Sequence, residues 1–290
     1  MNNPRWIGVA CLGITAVGWG LNWPFMKLLL RELPPLSARG LAGVTASLIL
    51  AAVALSRGER LSVPRAVLPR LMLATFTNVV AWMGFGTVAM KWVSVSEGAL
   101  LAYTMPIWAM LFAWPLLGAR PTLRDVAALC LGIAGVVILF GGEGLAFSHE
   151  KLVGAALALA AAILFAFGNV INRGAIPVPP IALVAWQVGL GCLAMLIYGL
   201  AFEESDFGAL SVTGWGMMAY MTIVPMGVCY LTWFETLRRL PPATASTGML
   251  LVPVIGVVSA ALIVGEPLGI RVVLAMVLTL GGVTLALQRA

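Results

Sequence analysis

Residues 103–110 run Tyr103-Thr104-Met105-Pro106-Ile107-Trp108-Ala109-Met110, and residues 250–257 run Leu250-Leu251-Val252-Pro253-Val254-Ile255-Gly256-Val257. Outward from this pair the landmarks stay in step about 147 positions apart: Pro106 with Pro253, Gly118 with Gly265, Arg124 with Arg271, Gly135 with Gly282. Nearer the start, Gly8 and Lys27 match Gly154 and Arg173 at an offset of about 146. A single match is cheap in an apolar chain, whereas a run at near-constant spacing marks an internal repeat. The repeat divides the chain into 1–147 and 148–290, each copy holding five membrane-length apolar segments. An odd number of spans forces the two copies to lie upside down relative to one another. Inverted repeats of this kind let two mirrored halves open a shared central site to either side in turn.

Composition sets the solvent. The 290 residues are 61% hydrophobic and 10% charged, with a mean hydropathy of +1.04. That leaves too little polar surface for a water-soluble domain of this size, so the chain is expected to be an all-α integral membrane protein. Apolar stretches cover 6–29, 36–55, 67–90, 98–117, 126–142, 152–172, 181–202, 215–234, 243–264 and 271–288. Each approaches the ~20 residues that cross a ~30 Å hydrocarbon core. The expected fold is ten transmembrane helices, as two inverted five-helix repeats around a central cavity. The first stretch is too long for a signal peptide and follows directly on Arg5. The four cysteines, Cys11, Cys130, Cys192 and Cys229, all fall inside spans. They show neither metal-ligand spacing nor a disulfide framework, which leaves them as small apolar packers.

Charge orients the spans. With a cytoplasmic N-terminus, that side carries Arg5, Arg57, Arg60, Arg65, Arg70, Arg120, Arg124, Arg173, Arg238, Arg239 and Arg289, eleven basic residues. The opposite side carries six: Lys27, Arg31, Arg39, Lys91, Lys151 and Arg271. The excess favours both termini inside. The net charge of +6 is thereby accounted for by topology, and no nucleic-acid partner is implied.

Candidate chemistry is sparse. There is no G-x-x-x-x-G-K-[ST] phosphate loop and no room for a domain to hold one. The single histidine, His149, stands in a loop beside Glu150 and Lys151. Glu97, Glu235 and Glu266 lie at span edges rather than mid-membrane, which argues against a buried-acid proton relay and for facilitated diffusion or exchange. No metal site, cofactor or catalytic group is expected, since no nucleophile–base or ligand cluster is present.

Proline, aromatic and amide residues mark a cavity. Proline in a membrane helix removes a backbone donor, so Pro106, Pro225 and Pro253 are expected to free the carbonyls of Ala102, Met221 and Met249. The paired Pro106 and Pro253 are hinge or gate candidates. Asn78 and Trp82 stand four apart on one face of the third span, which Phe85 continues; Trp186 and Gln187 are adjacent on the seventh; Tyr230 and Trp233 are three apart on the eighth. A lone buried amide is usually interhelical glue. Repeated amide-plus-aromatic faces point instead to a cavity for an uncharged or zwitterionic, partly apolar solute. Lys27 and Arg173 end matched helices, where snorkelling to the interface explains them. Gly132, Gly135, Gly281 and Gly282 allow close helix contact, within the chain or at a dimer interface.

Trp19-Gly20-Leu21-Asn22-Trp23-Pro24-Phe25-Met26-Lys27 resembles the first-helix motif of the EamA group of the drug/metabolite transporter superfamily. Met105-Pro106 through Leu117-Gly118 and Leu131-Gly132 to Gly135 is similar to that group's repeat signature. Val252-Pro253 through Gly265-Glu266 and Gly281-Gly282 is similar to its second copy, with Ala119 standing where that copy has Glu266. Within the group, the chain most resembles the bacterial aromatic amino-acid exporters. The resemblance implies a multi-pass protein of the bacterial inner membrane, with both termini cytoplasmic, exporting amino acids or related metabolites. It implies a cavity built from the first four helices of each half, placing Asn22, Asn78, Trp82, Tyr103, Trp108, Asn169, Trp186, Gln187, Tyr230 and Trp233 on its walls.

The leading expectation is therefore a secondary transporter that exports aromatic and other apolar amino acids by alternating access, as a monomer or homodimer. The alternatives are a proton-coupled exporter of other metabolites or drugs, an exporter of phosphorylated metabolites, and a passive channel. The phosphorylated-metabolite reading wants deep cations, for which only Lys27 and Arg173 offer themselves.

Overall fold

The computed structural model describes residues 4–120, 122–141, 148–172 and 174–288. Among them, ten helices are long and apolar enough to cross a membrane: α1 (Arg5–Leu29), α2 (Pro35–Ser56), α3 (Arg65–Ala89), α4 (Val95–Leu117), α5 (Leu123–Phe140), α6 (His149–Ile171), α7 (Pro180–Phe202), α8 (Val212–Arg239), α9 (Thr244–Ile263) and α10 (Ile270–Leu287). The described residues contain no strand. This suits the bilayer, where a helix meets its own backbone hydrogen bonds. The expected division between copies, Arg173 and Arg289 lie outside the described residues.

The two halves interlock. α1 packs on α8 and α9, and its counterpart α6 packs on α3 and α4, so the first helix of each copy sits in the other. α2 runs along α7 and α5 along α10. Glycines allow both approaches: a Cβ at Gly40 would meet the Leu196 backbone 2.5 Å away, and one at Gly282 would lie 2.6 Å from the Ala128 carbonyl. Gly135 faces Ala275 and Thr279 of α10 as closely. The small-residue faces of α5 and α10 thus serve packing within the chain, the first of the two expected roles; among these glycines Gly281 is open, with Leu131 at 4.0 Å. Gly118 and Gly265, the paired landmarks, take positive φ of 69° and 78°. They end α4 and α9 in a left-handed conformation that a side chain would oppose.

Carboxylates hold helix starts, where unpaired backbone N–H groups and the helix dipole favour negative charge. The N–H groups of Leu36 and Ser37 donate to Glu203 at 3.1 and 2.8 Å. Reciprocally, the N–H of Ala182, at the start of α7, donates to Glu59 at 2.9 Å. Val95 and Ser96, at the start of α4, donate to Glu266 at 2.6 and 3.1 Å. The mirror of this last contact is missing. Ala119 occupies the carboxylate position, and the start of α9 follows Pro241-Pro242, whose prolines carry no N–H.

Two pairs of irregularities depart from ten straight helices. α4 breaks at Tyr103–Thr104 and α9 at Met249–Leu250, so Pro106 and Pro253 sit in the first turn of restarted helices, Met105–Leu117 and Leu251–Ile263. There the missing N–H costs nothing. The carbonyl of Met249 is not freed, because it accepts the N–H of Val252 at 3.1 Å. In α3 and α8, wide π-helical turns occupy Phe76–Phe85 and Val224–Val228. Such turns are rare and occur mostly as single-turn bulges, frequently at functional sites.

The end away from the termini is closed. Leu29, Leu33, Met90, Val93 and Val95 are buried there in one apolar cluster. Lys27 donates to the carbonyl of Val93 at 2.8 Å and to that of Met90. Lys151 pairs with Glu97 at 2.8 Å.

A candidate binding cavity between the repeats

A cavity of about 550 Å³ lies between the interlocked halves, within the 300–1,000 Å³ typical of small-molecule sites. It runs toward the end bearing the termini, where Asn169, Ser246 and Leu287 line it close to the ends of α6, α9 and α10. Two aromatic clusters face it. On one side Trp19 of α1 meets Tyr230 edge-on at 5.7 Å and Trp233 at 6.2 Å. On the other, Phe165 of α6 lies 4.8 Å from Trp82 of α3, which meets Tyr103 at 6.3 Å. The clusters are counterparts across the repeat, because Trp19 and Phe165 stand about 146 positions apart.

The indole N–H of Trp19 donates to the Pro225 carbonyl at 2.8 Å, tying α1 to the π turn of α8. Close by, the hydroxyls of Thr15 and Thr232 lie 2.7 Å apart. In the other half the Asn78 amide donates to the Gln187 side-chain oxygen at 3.3 Å, a long bond that leaves both groups able to rearrange.

Eight of the ten residues expected on the walls line this cavity: Asn22, Asn78, Trp82, Tyr103, Asn169, Gln187, Tyr230 and Trp233. Trp186 does not. Successive helical residues point about 100° apart, and with Gln187 facing inward the Trp186 ring turns outward and donates to the Leu61 carbonyl at 2.7 Å. Trp108 is likewise off the lining, beside Ala109, which is on it, and donates to the Thr104 hydroxyl at 3.1 Å. Phe85 gives way to Gly86 and Thr87, because a π turn carries the face further along the chain than an α turn. Of the hinge candidates, Pro106 lines the cavity and Pro253 is buried behind it.

The carboxylates at span edges sit elsewhere. Glu97 closes a capping box with Ser94, Glu266 holds α4, and Glu235 pairs with Arg238 and Arg239 on its own helix at 3.0 and 2.9 Å. No carboxylate lines the cavity among the described residues.

The charged residue of the lining escaped the sequence reading. Arg39, counted among the outward topogenic charges, is only 6% exposed and lines the cavity. Its Nε and Nη1 have no hydrogen-bond partner, nor has the buried Oδ1 of Asn22. The repeat gives no direct signal: at the landmark offset of 146–147, Arg39 falls opposite Ala185 and Trp186, just short of the wall residue Gln187.

The EamA-like transporter family matches the chain twice, over residues 6–141 and 152–288. The "Probable amino-acid metabolite efflux pump" of Salmonella typhimurium is 29% identical over 268 residues, 88% of this chain and 86% of that protein. The "Aromatic amino acid exporter YddG" of Ancylobacter novellus is 27% identical over 233 residues, 79% of each. The "Uncharacterized transporter YoaV" of Bacillus subtilis is 24% identical over 275 residues, 94% of each. A solved crystal structure, 23% identical, superposes with a TM-score of 0.69 over 99% of this chain and 100% of its own; it speaks for the fold alone.

Proposed function

We propose that this chain, which belongs to the EamA-like transporter family, exports aromatic and other apolar amino acids and related metabolites from the cytoplasm. The observation that carries this reading is the cavity itself. Aromatic rings from both halves offer stacking surfaces for an apolar side chain, and Asn22, Asn78 and Gln187 offer polar groups for a zwitterionic head. Relatives named as amino-acid exporters and efflux pumps support the same solute class.

The transport cycle is alternating access, in which the copies, divided at 147/148, exchange conformations. With both termini in the cytoplasm of a bacterial inner membrane, the present state faces inward, its closed end at Leu29, Met90 and Val95. The breaks before Pro106 and Pro253 are where α4 and α9 swing. The lack of a carboxylate among the described wall residues supports facilitated diffusion or exchange over proton coupling. The protein acts as a carrier and not an enzyme, working as a monomer or homodimer.

Reconstitution in proteoliposomes tests the reading. Uptake of radiolabelled tryptophan is expected to saturate, to accelerate when unlabelled tryptophan is trapped inside, and to be competed by phenylalanine. Uptake no faster than in protein-free liposomes overturns the aromatic assignment. Uptake that never saturates and ignores internal substrate moves the protein to the channel class. Dependence on an imposed pH gradient overturns the uncoupled cycle.

A further inference from the structure

We infer that Arg39 is a carboxylate receptor, selecting among apolar solutes those that carry a carboxylate. The inference rests on the carrier reading above and adds the chemistry of the solute's head group. A guanidinium stays charged at any physiological pH and presents its donors in a fixed fork. Burying it without an acceptor is costly, so buried arginines are found paired. Arg39 is buried on the cavity wall, yet its Nε and Nη1 are unpartnered. It forms no ion pair among the described residues, and the ionisable side chains around it are Cys192 and Tyr230, neither a carboxylate.

The missing acceptor is therefore supplied by what enters the cavity. A planar carboxylate fits either edge of the guanidinium with two parallel bonds, one from Nη2 and one from Nε or Nη1. A phosphate fits less well, because its second charge finds no second cation on the lining. Asn22, another residue of the lining, has a buried and unpartnered Oδ1, an acceptor that suits an ammonium. The two orphaned groups are complementary to the two ends of a zwitterion.

The helix geometry explains why this arginine points inward. Gly40 and Gly43, next to it and one turn on, are pressed against Leu196 and Cys192 of α7. That contact fixes the rotation of α2, and Arg39 is left facing the cavity. In the other copy the matching positions are Ala185 and Trp186, and the neighbouring Gln187 already has a partner, the Asn78 amide. The charge is thus placed in one copy only, where no protein group neutralises it.

The test is a head-group series on a constant indole ring, measured by calorimetric binding to the purified full chain. The compounds are tryptophan, indole-3-propionate, tryptophan amide, tryptamine and indoxyl phosphate. Tryptophan and indole-3-propionate are expected to bind about tenfold to a hundredfold more tightly than tryptophan amide and tryptamine. Arg39→Gln is expected to erase that gap, and Arg39→Lys to keep part of it. The series on the unaltered protein decides the matter even where a variant fails to fold. Equal affinity for tryptophan and its amide overturns the receptor while leaving the amino-acid reading standing. Binding of indole-3-propionate without tryptophan supports the receptor and overturns the amino-acid reading. Preference for indoxyl phosphate, or no binding by either carboxylate, overturns the receptor.

Discussion

Trp19 of α1 donates its indole N–H to the carbonyl of Pro225 in α8, 2.8 Å away across the boundary between the copies. The same ring packs edge-on to Tyr230 and at a tilt to Trp233, so one side chain both shapes the wall and fastens the π turn behind it. Trp19→Phe keeps the ring and loses the donor, and is expected to cost about 1 kcal/mol in unfolding measurements. Trp19→Ala is expected to cost about 3–5 kcal/mol, since the aromatic contacts go too. Equal losses for the two variants would show that the aromatic contacts contribute nothing.

Glu266 holds the first turn of α4 through the N–H groups of Val95 and Ser96 and the Ser96 hydroxyl, the last at 3.2 Å. Replacing it by Ala leaves two helix-start donors without their acceptor. Amide hydrogen exchange over 93–101 is expected to accelerate by about tenfold or more, as for the loss of a hydrogen bond to a charged group. Unchanged exchange in that segment would mean that the apolar cluster alone keeps the end shut.

Asn78 and Gln187 join α3 to α7 by a single long bond. Hydrogen bonds between membrane helices average about 0.6 kcal/mol and reach about 1.7 at most. A double-mutant cycle with Asn78→Ala and Gln187→Ala, read by unfolding in detergent, is expected to give a coupling below about 1 kcal/mol. Loss of tryptophan binding in each single variant should far exceed that coupling, because both amides face the cavity. Binding losses no larger than the coupling would reduce the pair to interhelical glue.

Gly282 and Gly281 are neighbours in sequence with opposite surroundings. Gly282→Ala is expected to cost about 1–3 kcal/mol by forcing α5 and α10 apart. Gly281→Ala is expected to be neutral or slightly stabilising, as an alanine in an open helical position. Thermal unfolding of the two variants side by side checks this. Comparable melting temperatures would mean that the helices part without penalty.

The spans and their pairing were legible because length, hydropathy and a repeated set of landmark residues are properties of the chain itself. Side chains three or four apart were legible as faces: Asn78 with Trp82 on α3 and Tyr230 with Trp233 on α8 all reach the cavity. Trp186 was misplaced because adjacency in sequence was taken for a shared face, when 100° separates the two side chains. Phe85 was misplaced because the π turns of α3 and α8 carry no composition signal that separates them from α-helix. Arg39 shows a different limit. An arginine one turn inside a helix end normally reaches for the interface, and its direction here depends on how Gly40 and Gly43 seat α2 on α7. That is a property of two helices together, and no window of sequence around Arg39 contains it.

The unmatched clasp of Glu266, with Ala119 and Pro242 in the mirrored place, bears on kinetics. Two perfectly mirrored copies would give inward and outward states of equal energy, and a carrier that saturates alike from both faces. A carboxylate that holds one end and has no twin at the other tilts that balance toward the state seen here. In an uncoupled carrier such a tilt cannot move the point of zero net flux, which stays where the concentrations are equal. It can only make the KM and maximal rate differ between the two faces, in compensating proportion. A measured difference in KM between cytoplasmic and external substrate would therefore report the inequality of the two copies, this clasp included, rather than an energy source.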